Sequence, residues 1–301
     1  METKIKRFRH FLAGAVAICW SSFQIYGAWY VTLDAMILRA AHVGFALCLV
    51  FLLNPSLKSK PRLSLAIDSL LVLLGIGVGV HIITDFDRII QRVISVDEMT
   101  FGDLFFGSLA LPLILEATRR AVRAALAVVG LCFCLYALIG PYLFGALKHS
   151  AANLSEWIEY LYLTTEGIFG IPTGVSATFV FLFILFVAFL QRTDVGKFYL
   201  DVAFGLTGRS RGGAAKAAVV ASSFFGTISG SAVANTVGTG TFTIPLIIRG
   251  GYRPYFAGAV EALSSTGGQI MPPIMGAAAF VMAEITGIPY WDICKAAAFP
   301  A

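Results

Sequence analysis

The sequence predicts an all-α, polytopic membrane protein: about six spanning helices, then a re-entrant helical hairpin and a discontinuous helix. Three observations lead there. Hydrophobic residues make up 58% and charged residues only 13% of the 301 residues, which excludes an ordinary soluble domain. Several apolar runs reach the roughly 18 residues that mark a spanning helix. The third observation is residues 226–251, GTISGSAVANTVGTGTFTIPLIIRGG, too apolar for a surface loop and too rich in Gly, Ser, Thr and Asn for a lipid-facing helix. Irregular backbone survives at membrane depth only inside protein or beside a water-filled cavity.

The formal charge of +5 does not indicate nucleic acid, because the basic residues sit at the ends of apolar runs, where they set topology. METKIKRFRH followed by an apolar run has the look of a signal peptide, but more spans follow at once, so it reads as an uncleaved first helix. Span one covers about 11–31 and span two about 35–53, a tight pair. Lys4, Lys6, Arg7 and Arg9, with Lys58, Lys60 and Arg62 in the following loop, place the N-terminus and that loop in the cytoplasm.

Span three, about 63–83, carries Gly75, Gly77 and Gly79. No strand precedes this GIGVG and the third glycine of a nucleotide fingerprint is missing, so it reads as a close helix contact. In the linker 84–100, Ile89, Ile90, Val93 and Ile94 fall at helical spacing and predict an amphipathic helix on the outer surface. Span four, about 101–115, runs into Arg119, Arg120 and Arg123 on the inside. Span five, about 125–144, ends at Gly140-Pro141; 148–172 reads as external, and span six, about 175–190, closes on Arg192 and Lys197.

The next segment breaks the alternation. Arg209, Arg211 and Lys216 precede it, and Arg249 and Arg253 follow. Basic residues at both ends predict a re-entrant hairpin over about 213–248, with its tip near 226–232. A broken helix over about 255–286 follows: a half-helix 255–265, a break at TGGQIMPP (266–273), where Pro272 and Pro273 cannot donate, and a second half-helix.

Around the two breaks stand the candidate substrate- and ion-binding residues Ser229, Gly230, Ser231, Asn235, Thr239, Thr241, Thr266, Gly267, Gly268 and Gln269, with Ser264 and Ser265 beside them. Hydroxyl, amide and carbonyl oxygens without excess carboxylate suit a weakly held monovalent cation, sodium foremost, at Ser229, Ser231 and Asn235. The alternative, that small residues serve only tight helix packing, stays open at this stage. Arg39, His42, Asp68, Glu116, Asp201, Glu261 and Glu284 lie in or near apolar runs, where ionisable groups are costly. Arg39, Asp68 and Glu116 are expected to pair with one another or with headgroups, and Glu261 either braces the break or carries a proton. The four histidines have no ligand spacing, and the five cysteines read as buried small hydrophobes. No nucleophile–base pair or cofactor fingerprint points to an enzyme.

LEATRR (115–120), TEGIFGIP (165–172), GTISGSAVANTVGTGTFTIP (226–245) and GYRPYFAGAVEALSSTGGQIMPPIMGAAAFVMAE (251–284) together resemble the TRAP transporter permeases. The closest resemblance is to the fused kind, with small and large membrane subunits in one chain. The resemblance implies a multi-pass permease of the bacterial cytoplasmic (inner) membrane, in contact with membrane lipid. It implies sodium-coupled uptake of a small organic acid from an extracytoplasmic binding protein of the TAXI type, with no cofactor beyond the coupling ion. Residues 1–120 would correspond to the small-subunit-like four-helix scaffold and 121–301 to the N-terminal part of the large-subunit-like transport domain. Family members continue into a second, inverted half, so the resemblance also implies a truncated permease. A truncated, non-transporting scaffold or interaction protein is the alternative expectation.

Overall fold

The computed structural model describes residues 2–30, 33–57, 60–150, 153–190, 192–193, 195–208 and 210–300. Lys58, Arg209 and the end of span one at Val31 lie outside the described residues, as does the Lys4 side chain. Every regular element among the described residues is a helix, and six segments are long and apolar enough to cross a membrane. Two compact units, 1–177 and 178–301, divide the chain.

The first unit is a bundle built on α1 (Glu2–Tyr30), α2 (Ala35–Leu53), α3 (Pro61–Thr84) and α5 (Phe101–Ala121), with the short α4 (Phe86–Gln91) between the last two. Local chemistry fixes the ends. The Asp34 carboxylate accepts from Met36 N at 2.8 Å and starts α2, Pro61 opens α3, and Thr100 and Asp103 cap α5 reciprocally. The glycines of GIGVG do bring helices together: a Cβ on Gly79 would lie 2.9 Å from Ala40 O, and one on Gly75 3.0 Å from Leu47 Cβ. Leu47, Phe51, Val78, Ile82, Leu113 and Phe169 fill the core that results. Beyond α5 come α6 (Ala124–Ile139), two short 3-10 turns, α7 (Leu154–Tyr162) and α8 (Ile171–Val175). Buried Tyr162 ties α7 into the bundle by donating to Val78 O at 2.8 Å.

Charges close both ends of this bundle. At one end Asp68 receives Arg9 at 2.9 Å and Arg120 at 2.7 Å, and Glu116 holds Arg119 and Arg120. At the other end Asp103 meets Arg88 at 2.7 Å and Arg92 pairs with Glu159 at 3.0 Å. The expectation for Arg39, Asp68 and Glu116 is thus corrected: the two acids pair with arginines at helix ends, and Arg39 donates to Phe169 O at 2.8 Å. The amphipathic linker helix is also shorter than its apolar spacing suggests. It stops at Gln91, because the Asp97 side chain takes Val93 N at 2.7 Å and Ser95 adopts φ 62°. Of the cysteines, Cys48 and Cys294 are buried, whereas Cys19 and Cys132 face outward.

The sixth apolar segment, Ile171–Leu190, continues from α8 through a π-helical turn (Ser176–Val180) into α9 (Phe181–Leu190). The second unit then holds α10 (Val195–Thr207), α11 (Gly213–Ser229), α12 (Ala232–Arg249), α13 (Pro254–Gly267), α14 (Ala277–Thr286) and α15 (Tyr290–Ala297). α11 and α12 form an antiparallel hairpin. A Cβ on Gly250 would meet Ala214 Cβ at 3.0 Å, one on Gly238 would meet the Phe225 ring at 2.8 Å, and one on Gly226 would meet Asn235 Nδ2 at 3.3 Å. The hairpin turns at Gly230-Ser231, inside the predicted tip. Gly230 takes φ +57° to end α11, and the Ser231 hydroxyl accepts from Ala234 N at 3.3 Å to start α12.

The discontinuous helix is present with shifted bounds. α13 runs to Gly267, so Thr266 belongs to the helix, and the non-helical stretch is 268–276. The helix unwinds through i→i−3 bonds, Gln269 N to Thr266 O at 3.1 Å and Ile270 N to Gly267 O at 3.0 Å, before the two prolines stop it. α14 begins at Ala277 rather than Ile274. Beyond the break, Phe280 stacks between Phe179 and Tyr290, and the Tyr290 hydroxyl donates to Pro273 O at 3.0 Å.

Candidate functional site: a hairpin tip against a broken helix

Residue identity brings the hairpin and the break into direct contact. A Cβ on Gly226 would sit 2.6 Å from Gly268 Cα, and one on Gly268 would sit 2.8 Å from Gly226 Cα. Only glycine at both positions permits this approach. At Gly230 a Cβ would fall on Met275 O, and Gly276 lies just beyond. A backbone bond crosses the contact, Ile274 N donating to Thr227 O at 3.3 Å, and Gly276 N closes the break on itself by donating to Gln269 O at 2.7 Å. The C-termini of α11 and α13 and the N-termini of α12 and α14 therefore converge on one small volume. Helix C-termini present partial negative charge to a cation, and helix N-termini favour an anion.

Beneath the tip lies a buried polar cluster. Asn235, Thr239 and Thr243 recur every fourth residue on α12 and are fully or almost fully buried. Asn235 Nδ2 donates to Ser222 O at 2.9 Å, and Ser222 Oγ reaches Asn235 Oδ1 and Ser265 Oγ at 3.3 Å each. Glu261, 0% exposed on α13, is bonded by Thr239 at 2.6 Å, Thr243 at 2.5 Å and Ser265 at 3.0 Å. No ion pair reaches Glu261 among the described residues. Its carboxyl therefore braces α12 against α13 through hydroxyls alone.

The structure brings most of the sequence-nominated residues together. Ser229, Gly230 and Ser231 form the tip, Gly268 lies against Gly226, and Asn235 and Thr239 belong to the cluster. Among the described residues, the Ser229 hydroxyl is buried without a hydrogen-bond partner. Thr241 and Thr266 stand apart on exposed faces, Thr266 bonding back to Ala262 O at 2.7 Å. Gly267 has nothing within 4 Å of a built Cβ, and Gln269 contributes its carbonyl to the break. Two members of the cluster, Ser222 and Thr243, were not singled out from sequence. The i, i+4 register running from Asn235 through Thr239 was the signal that could have found Thr243.

The hairpin and the break lie within a longer stretch of recognisable ancestry. Residues 109–301 match the family described as "Tripartite ATP-independent periplasmic transporter, DctM component". The chain belongs to this family. Among its relatives is the C4-dicarboxylate TRAP transporter large permease protein DctM of Vibrio cholerae, 33% identical over 127 residues, or 42% of this chain and 27% of the relative. The protein of the same name in Pseudomonas aeruginosa is 31% identical over 106 residues, covering 35% of this chain and 25% of the relative. The isethionate TRAP transporter permease protein DctMQ of Oleidesulfovibrio alaskensis is 33% identical over 91 residues, covering 30% and 14% respectively. The match thus spans about a quarter of the length of the first two relatives. No solved structure matches the chain. The chain is thus a member of a transporter family, and six of its segments among the described residues are long and apolar enough to cross a membrane.

Proposed function

We propose that the chain works in a TRAP-type secondary transporter of the bacterial inner membrane, taking up a small organic acid with sodium. The acid arrives on an extracytoplasmic solute-binding protein, of the TAXI type on the sequence resemblance. The observation that carries this reading is the convergence of four helix ends at Gly230 and Gly276, inside the family-matched segment. Such broken helices hold substrate and coupling ion in secondary transporters. Ser229, whose hydroxyl has no hydrogen-bond partner among the described residues, is the leading cation ligand, joined by Ser231 and Asn235. Gly230, Gly268 and Gln269 border the same volume, Thr239 stands in the cluster beneath it, and Gly267, Thr241 and Thr266 are outer members of the proposed binding region. The names of the relatives, C4-dicarboxylate and isethionate transporters, favour a small organic anion.

The hairpin is re-entrant in this reading. Its helices have 17 and 18 residues, about 26 Å at 1.5 Å per residue, short of a hydrocarbon core of about 30 Å. Lys216 and Arg249 mark its open end as cytoplasmic, the side also assigned to the N-terminus. Residues 1–120 serve as the small-subunit-like scaffold of a fused permease, and the later residues belong to the part that transports.

Uptake into proteoliposomes tests the proposal. Labelled organic acids are supplied on the cognate binding protein, with and without an inward sodium gradient. The chain is measured alone and joined to the second half that the resemblance implies. Sodium-dependent accumulation by either form supports the proposal, and sodium-independent or absent accumulation by both contradicts it.

A further inference from the structure

Glu261 poses a counting problem. Three hydroxyls face its carboxyl, and each has one hydrogen to give. If the carboxyl is ionised, Thr239, Thr243 and Ser265 all turn towards it, and three hydrogen bonds solvate the charge. If it is protonated, it donates to Thr243 Oγ1. Thr243 then turns to Thr239 O at 3.0 Å and Thr239 to Asn235 O at 2.8 Å. Both states are fully bonded with the heavy atoms in the same places. A carboxyl that only brackets helices needs one satisfied state; this one has two.

The charged residues on the packed elements are remote. α11 carries Lys216 and α12 carries Arg249, both exposed and at the ends away from the tip, and on α13 the other titratable group is exposed Tyr255. From the carboxyl a continuous polar path runs through Ser265 and Ser222 to Asn235, which lies beside Gly226 and Gly268 where hairpin meets break.

We infer that Glu261 is a proton-binding site of the hairpin core, loaded and unloaded by reorientation of the Thr239, Thr243 and Ser265 hydroxyls. On release the carboxyl O–H bond breaks, its electron pair stays on the carboxylate, and the proton passes to a water molecule that reaches the carboxyl when the core opens. The site rests on the reading of this region as the transport core, because proton exchange by a fully buried group needs a core that opens to water.

Infrared difference spectra of the reconstituted full chain, recorded between acidic and alkaline buffer, test the inference without sodium, organic acid or binding protein. Failure of the uptake reading and failure of this one are therefore distinguishable. The expected result is a carboxylic-acid carbonyl band that appears on acidification, vanishes in Glu261→Gln and moves to a different frequency in Thr243→Val. Identical difference bands in the wild type and Glu261→Gln would overturn it. If Glu261→Gln does not fold, the two threonine variants, Thr239→Val and Thr243→Val, decide. A band that neither moves assigns the titration to another carboxyl and refutes the site.

Discussion

Alanine at Gly268 should separate the hairpin from the broken helix, and the structure sets the size of the effect. The added Cβ would lie 2.8 Å from Gly226 Cα and 2.9 Å from Asn235 Nδ2, where ordinary contact begins at 3.4 Å. The break must therefore retreat from α11 by about 0.6 Å. Packing one methyl into such a contact costs about 1–3 kcal/mol. The same retreat strains the Ser222–Ser265 bond that links the two pieces, worth about 1 kcal/mol more. A loss of about 2–4 kcal/mol is expected, and Gly226→Ala, with its Cβ 2.6 Å from Gly268 Cα, should match or exceed it. Gly267→Ala is the internal control: one residue away, in the last turn of α13, its Cβ meets nothing within 4 Å. Unfolding of the three purified variants in detergent gives the comparison. Gly268→Ala as stable as Gly267→Ala would refute the close contact.

Other positions give further expectations. Asp68→Asn leaves buried Arg9 and Arg120 without their shared anion and should cost about 3–5 kcal/mol in the same unfolding assay. Ser231→Ala removes the cap on Ala234 N and should cost about 1 kcal/mol, read as faster hydrogen exchange in the first turn of α12. Gly79→Leu drives a side chain into Ala40 O, 2.9 Å from its Cβ, and should lower the yield of folded protein, whereas Gly14→Leu, with nothing within 4 Å, should not.

The spans were legible because hydrocarbon demands long apolar runs and basic residues bound them. α2 came out at its observed limits, since Asp34 starts it and Asn54-Pro55 follows its end. The hairpin tip was legible for the same kind of reason, because Gly230-Ser231 both ends one helix and caps the next. Short amphipathic elements were not. α7 has nine residues and gains its place from Tyr162 reaching Val78, a contact 84 residues distant in sequence. The linker at 84–100 erred the other way, its isoleucine spacing outweighed by one aspartate side chain bonding to the backbone. At the site, sequence identified polar residues near two breaks and flagged Glu261. It could not show that Thr243 and Ser265 aim at that carboxyl, because the arrangement exists only once α12 and α13 are packed.

The most direct test joins the Gly226–Gly268 contact to transport. Sodium-driven uptake of an organic acid is measured in proteoliposomes holding equal amounts of folded wild type, Gly267→Ala and Gly268→Ala, each in the transport-competent form with the cognate binding protein. Wild type and Gly267→Ala should accumulate the acid alike, and Gly268→Ala should fall at least tenfold, the effect of about 1.4 kcal/mol on a productive state. Equal uptake by all three would contradict the placement of the transport core where hairpin meets break.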